Sequence, residues 1–269
     1  MRIYKYVDAR TLDLILQTRR IMFTHPADFN DPFDRPRVPR SGYDFEYYSL
    51  IGDELMTRER QASEADEAWG KCAVSSFTRA HDNALMWAHY SDKHRGAVIE
   101  IDAEEAGLTS KQFLIPAQFG SVIYMKRPNP DPAPARGLSA MRARQITSGE
   151  DRFQIDNYAG LQRLFLTKGL AWAYEEEVRV VCESFRYHWG DSNDSIDSSW
   201  KKIVKGDGNA GYGWLIRPSA ITKVFVGMRY TGLDQLREQA GMLGFEIMLP
   251  DRNQRHDFEV HFISGEGAD

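Results

Sequence analysis

The chain opens on Ile3-Tyr4-Lys5-Tyr6-Val7, a run of apolar and aromatic positions broken by one lysine, which reads as a short strand. After Asp8, a residue suited to capping a helix, Leu12, Ile15 and Leu16 recur at near-helical spacing and predict a helix over 9–19. A second strand is expected at 21–24, closed by His25-Pro26. Apolar runs predict further strands at 71–78, 96–102, 120–124, 172–181, 221–227, 245–249 and 258–263. Helical patterns fall at 44–69, 138–147, 152–168 and 231–243, with a short helix carrying Leu85, Met86, Trp87, His89 and Tyr90 behind an Asp82 or Asn83 cap. Residues 128–134 hold four prolines and read as irregular loop; 190–213, rich in Gly, Ser, Asp and Asn, reads as a long mobile loop. Residues 264–269 read as a polar tail.

Short strands, scattered helices and no composition break or repeat predict one mixed α+β domain over 1–269, with largely antiparallel strands and peripheral helices. At 269 residues and 42% apolar content a sizeable core is affordable, and 12% aromatic residues exclude general disorder. No run approaches the roughly 18 apolar residues of a membrane helix. The first residues lack a signal-peptide pattern, so a cytoplasmic protein without membrane contact is expected. Two cysteines, Cys72 and Cys182, rule out a disulfide framework and make a structural zinc site a poor reading. The net charge of −5 argues against generic nucleic-acid affinity, and the basic clusters (Arg35 to Arg40, Arg136 to Arg144, Lys201 to Lys205) read as solvated faces.

Candidate chemistry gathers in four places. Period-two alternation puts Glu175, Glu177 and Arg179 on one face of a strand expected to be central, where a carboxylate row needs partners. Ser75-Ser76-Phe77-Thr78 ends an apolar strand; such hydroxyls commonly satisfy backbone, and only His81 lies near as a base. Trp87, Tyr90 and His94 share a helical face, a pattern more typical of core than of a ligand platform. His89 and His94 are five apart, unlike a metal pair, and no metal is expected. The loop holding Asn30, Asp31, Phe33 and Asp34 is too short for a calcium loop. The glycines at 206, 208, 211 and 213 read as flexible rather than as a phosphate cradle.

The order of these motifs is more specific than any one of them. Lys5-Tyr6, residues 29–34, Ser76-Phe77-Thr78, Met86-Trp87-x-His89-Tyr90 and Trp172-x-Tyr174-Glu175-x-Glu177-x-Arg179 together resemble, over about 3–262, a bacterial family catalogued as a domain of unknown function (number twenty-nine seventy-one). That family brings no activity with it. More distantly, the opening strand–helix–strand resembles the ADP-ribosyltransferase fold with its split sheets. That likeness implies an NAD-consuming transferase or glycohydrolase, with NAD as substrate, a protein or nucleic-acid acceptor, and a toxin or phage-defence setting. It assigns Glu177 to stabilising an oxocarbenium-like state and Glu175 to the acceptor nucleophile. It places Lys5, Tyr6, Ser76, Thr78, Asn30, Phe33, Trp87, Tyr90 and Arg179 around the dinucleotide. Lys5 and Tyr6 depart from the His or Arg expected on the first strand. A non-catalytic recognition module is the alternative, and a metal-dependent nuclease using Asp31, Asp34, Glu175 and Glu177 a third reading, disfavoured because no lysine stands out beside the acids.

Overall fold

A computed structural model describes residues 1–29, 34, 72–127, 151–183, 199–204, 210–251 and 260–265. Strand β1 (Arg2–Val7) leads into helix α1 (Ala9–Thr18), whose first turn is capped by the Asp8 carboxylate accepting from the Thr11 amide. Leu12, Ile15 and Leu16 are its buried stripe, and left-handed Arg19 ends it by donating to the Ile15 carbonyl. Strand β2 (Arg20–Phe23) follows, then β3 (Cys72–Thr78). Asn83 caps α2 (Ala84–Tyr90) by accepting from the amides of Leu85 and Met86. Next come β4 (Ala97–Asp102), the short β5 (Ile123–Met125), α3 (Ile155–Phe165), β6 (Thr167–Gly169) and β7 (Glu177–Glu183). The chain continues through β8 (Trp200–Val204), β9 (Ala210–Leu215), β10 (Ile221–Val226), α4 (Leu233–Leu243), β11 (Glu246–Pro250) and β12 (Phe262–Ser264).

The fold is α+β. Seven strands form one sheet in the order β12-β11-β10-β4-β1-β3-β7, antiparallel except for β10 and β11, which α4 joins as a crossover. A three-stranded sheet, β2-β9-β8, and the pair β5-β6 complete it. The main core lies on one face of the large sheet: Ile3, Val7, Phe77, Val178 and Val180 meet Leu12 and Leu16 of α1, Leu236 of α4 and Trp200, Tyr212 and Trp214 of the second sheet. On the opposite face Cys72, Val74 and Val181 pack under Leu161, Leu164 and Phe165 of α3. No helix among the described residues is long and apolar enough to cross a membrane.

Several sequence expectations are corrected. Residues 172–181 are not one strand: Leu170–Glu175 is a 3-10 helix, Glu176 is left-handed at φ 43°, and β7 starts only at Glu177. Nor is β7 flanked by two full strands. It ends the ladder, although Ile115 and Ser121 bridge its outer edge opposite Val181 and Val178. Gly120 donates no side chain there for a reason, since a Cβ would lie 2.1 Å from the Arg179 carbonyl oxygen. The segment read as a mobile loop contains β8 and most of β9, and Gly211 and Gly213 are strand residues pressed against Met22 and Ile203. His94 is not on the α2 face, because Asp92, Lys93 and His94 are successively left-handed beyond the helix end. The helices expected at 44–69 and 138–147, and most of the expected tail, lie outside the described residues.

Candidate functional site

In the described structure β1 meets β3 at one register position, Tyr4 opposite Thr78, whereas it pairs with β4 along its whole length. The two strands part beyond that point, and a cavity of about 200 Å³ opens where they do. Strand parity decides what reaches it. Ser76 and Thr78 of β3 face the same side as Glu177 and Arg179 of β7, because Thr78 pairs with Glu177 and Ser76 with Arg179. Tyr4 and Tyr6 project to that side from β1, while Lys5 shares parity with core residues Ile3 and Val7. The Lys5 amine nevertheless lines the cavity, donating to the Ser76 carbonyl at 2.9 Å and lying over the Phe77 ring. It thereby satisfies a carbonyl at the parting of the strands.

Opposite Lys5 is a buried ionic network. Arg179, 1% exposed, grips Glu177 with two donors, Nε to Oε1 and Nη2 to Oε2, each at 2.9 Å. It also donates to Asp34 Oδ2 at 2.6 Å and to the Phe165 carbonyl at 2.8 Å. Lys168 of β6 donates to Glu175 Oε2 at 2.5 Å and Glu177 Oε2 at 3.1 Å, with Asp34 Oδ2 at 3.8 Å. Its ammonium lies 5.2 Å from the Trp172 ring centre. Tyr90, at the end of α2, donates to Glu175 Oε1 at 2.5 Å. The Tyr124 hydroxyl of β5 accepts from the Glu177 amide at 2.8 Å.

These contacts fix the charges. Burial alone would raise the Glu177 carboxyl, but Arg179, Lys168 and a hydrogen bond from the Ser76 side chain outweigh it and hold it at about 2. Burial pulls the Lys168 ammonium down, and Glu177 and Glu175 more than restore it, so its pKa is raised. Arg179 is held above its ordinary value in the same way, by Glu177 and Asp34 against burial. Lys5 differs: burial lowers its amine to about 8, and the more distant pull of Glu177 only partly opposes this.

The sequence-derived candidates thus divide. Lys5, Tyr6, Ser76, Thr78, Tyr90, Glu175 and Glu177 all line the one cavity. Thr78 spends its hydroxyl oxygen accepting from the Ala80 amide, the backbone role expected of such residues. Arg179 lies behind Glu177 as its counter-ion and does not line the cavity. Trp87 is corrected from ligand platform to core: it is fully buried, donates to the His81 carbonyl and packs against Tyr6, His94 and Phe262. Asn30, Asp31 and Phe33 lie outside the described residues. Glu175 shares the site without sharing a strand face with Glu177, since the left-handed turn at Glu176 brings it there.

Sequence reasoning missed Lys168, and the statement that no lysine accompanies the acids is overturned by its position between them. The readable signal was charge balance: three buried acids exceed what Arg179 neutralises, and Lys168 is the nearest basic residue preceding Glu175. Tyr4, Phe29 and Met86, which also line the cavity, carry no sequence signal for it. Among the described residues no group of three or more His, Cys, Asp or Glu is arranged to hold a metal ion.

Residues 86–180 match the model of a family described as "Protein of unknown function (DUF2971)". The matched span includes Tyr90, Lys168, Glu175, Glu177 and Arg179, and is shorter than the 3–262 expected from the motif order. No curated protein matches the chain. No solved structure matches it either.

Proposed function

We propose that the cavity breaks the nicotinamide–ribose bond of NAD, making the chain an ADP-ribosyltransferase or NAD glycohydrolase. The supporting observation is the convergence of Lys5 and Tyr6 from β1, Ser76 from β3 and Glu175 with Glu177 on one cavity at the parting of two strands. As the bond breaks, its electron pair leaves with the nicotinamide nitrogen and positive charge develops on the ribose. Glu177, ionised above about pH 2, is the carboxylate that would face this charge. Glu175 would then take the proton of the acceptor, water or a side-chain nucleophile, as its lone pair bonds to the ribose carbon.

The cavity tests the fit. About 200 Å³ is below the roughly 300–1,000 Å³ of pockets that enclose drug-sized ligands, so it suits a nicotinamide ring with its ribose and not a whole dinucleotide. Tyr4, Tyr6, Phe29 and Tyr90 supply the aromatic wall for such a ring. A protein or nucleic-acid acceptor, and a toxin or phage-defence setting, follow from this reading alone.

The experiment is incubation of the folded chain with NAD, alone and with arginine-rich protein or nucleic acid, following free nicotinamide. Glu175→Gln and Tyr90→Phe are the informative variants, because Glu177 binds both Arg179 and Lys168 and carries more of the ionic network. Nicotinamide release that falls at least tenfold in both, in variants that still show a cooperative melting transition, supports the reading. Its absence from wild type under all acceptors removes it.

One observation favours a recognition module instead: Lys168 and Arg179 already saturate Glu177, leaving its carboxylate in a structural clamp. That reading expects saturable binding without product, weakened by Tyr90→Phe and Tyr6→Ala. Trp87→Ala, a core substitution, would not discriminate.

A further inference from the structure

The cavity holds two lysine amines in opposite situations. Lys168 is locked, with Glu175, Glu177 and Asp34 all within 4 Å. Lys5 makes one hydrogen bond, to the Ser76 carbonyl, and among the described residues no carboxylate pairs with it. Its remaining donor positions are uncommitted, and its nitrogen lies 4.9 Å from the Phe77 ring centre. An amine with an apolar wall on one side and a ligand-sized space on the other is the setting of nucleophilic lysines.

We propose that Lys5 is a carbonyl-capturing lysine that forms an imine with an aldehyde or ketone of a small aromatic ligand held in the cavity. The Nζ lone pair attacks the carbonyl carbon and forms the C–N bond. One nitrogen proton passes to the carbonyl oxygen, and the carbinolamine then loses water to leave C=N. Amine and carbonyl thus give imine and water, with no oxidant or reductant needed. The aromatic character of the ligand follows from the wall of Tyr4, Tyr6, Phe29 and Phe77, and its size from the 200 Å³ available. This inference does not rest on NAD chemistry and survives its failure. The lowered basicity supports it: at pH 7 an amine of pKa about 8 is neutral in about one molecule in ten, against about one in three thousand for an ordinary lysine.

The test is benzaldehyde with sodium cyanoborohydride on the full chain, followed by peptide mapping. The expected result at pH 7 is benzylation of Lys5 on the order of a hundredfold faster than any other lysine side chain, with a rate rising to half its plateau near pH 8. Lys5→Arg keeps the charge and a donor for Ser76 but cannot form the imine, so it should lose that label at unchanged melting temperature. The wild-type map decides the matter even if the variant fails to fold. Label spread over other lysines with Lys5 no faster, or concentrated at Lys168, overturns the proposal.

Discussion

Glu177→Gln removes one charge from a site where two buried cations share it, and the structure sets both the size of the effect and its dependence on pH. The carboxyl falls from its ordinary 4.5 to about 2 on folding. At roughly 1.4 kcal/mol per pH unit this difference makes ionised Glu177 worth about 3 kcal/mol of stability at neutral pH. A second route agrees. Glutamine keeps one neutral acceptor for Arg179 but removes the charge that Arg179 and Lys168 share, and breaking one side of a buried ion pair costs about 3–5 kcal/mol.

The sign follows from the direction of the shift. A carboxyl with a depressed folded pKa contributes fully above its unfolded value, near 4.5, and loses that contribution as pH falls towards about 2. Urea unfolding of wild type and Glu177→Gln at pH 7, 5, 4, 3 and 2.5 would measure the gap between them. It should be about 3 kcal/mol at pH 7 and 5, then close by about 1.4 kcal/mol per pH unit below 4.5. Titrating groups remote from Glu177 act on both proteins and cancel in the difference. A gap under about 1 kcal/mol at pH 7, or one independent of pH, would refute the assignment of Glu177 as the shared counter-ion.

Trp87→Ala should cost about 3–5 kcal/mol in chemical denaturation, because it empties a fully buried site among Tyr6, His94 and Phe262. Gly120→Ala should destabilise by about 1–3 kcal/mol in the same assay, since its Cβ would collide with the Arg179 carbonyl and push the covering segment off β7. Asn83→Ala should lower stability by about 1 kcal/mol through the lost α2 cap, and further through the Tyr174 carbonyl that Asn83 Nδ2 supports. Asn83→Asp, which keeps the acceptor and loses that donor, should fall between wild type and alanine in thermal melting.

Elements whose signals are local were legible. Asp8 caps α1, Asn83 caps α2, and short apolar runs mark β1 and β10. What failed was period two across Glu175 to Arg179. Nothing in that string shows that Glu176 turns left-handed; the cause is tertiary, with Tyr174 tied to Asn83 through its carbonyl and Glu175 held by Lys168 and Tyr90. Composition misled at 190–213 for a related reason. Gly211 and Gly213 read as flexible, yet both are β9 residues over which the Met22 and Ile203 side chains close, where a Cβ would make those side chains shift.

The candidate site shows the same division between local and non-local information. Glu175 and Glu177 were visible because they sit close in sequence, and Arg179 followed two residues beyond Glu177 on the same strand. Lys168 was invisible to spacing, because it reaches Glu175 and Glu177 from a different element. A charge argument could have found it, since buried carboxylates force the chain to bring cations to them wherever these lie in sequence. Lys5 is set apart by geometry and not by charge count. Arg179 and Lys168 bring two cations to the three acids Asp34, Glu175 and Glu177, yet among the described residues none of those acids forms an ion pair with Lys5. Its single bond to the Ser76 carbonyl explains how the parting of β1 and β3 is sealed, but an amide or hydroxyl donor could do that without the desolvation cost of an ammonium. That cost falls on an amine that lines the cavity and pairs with none of the described acids, which is the arrangement that the benzaldehyde labelling tests.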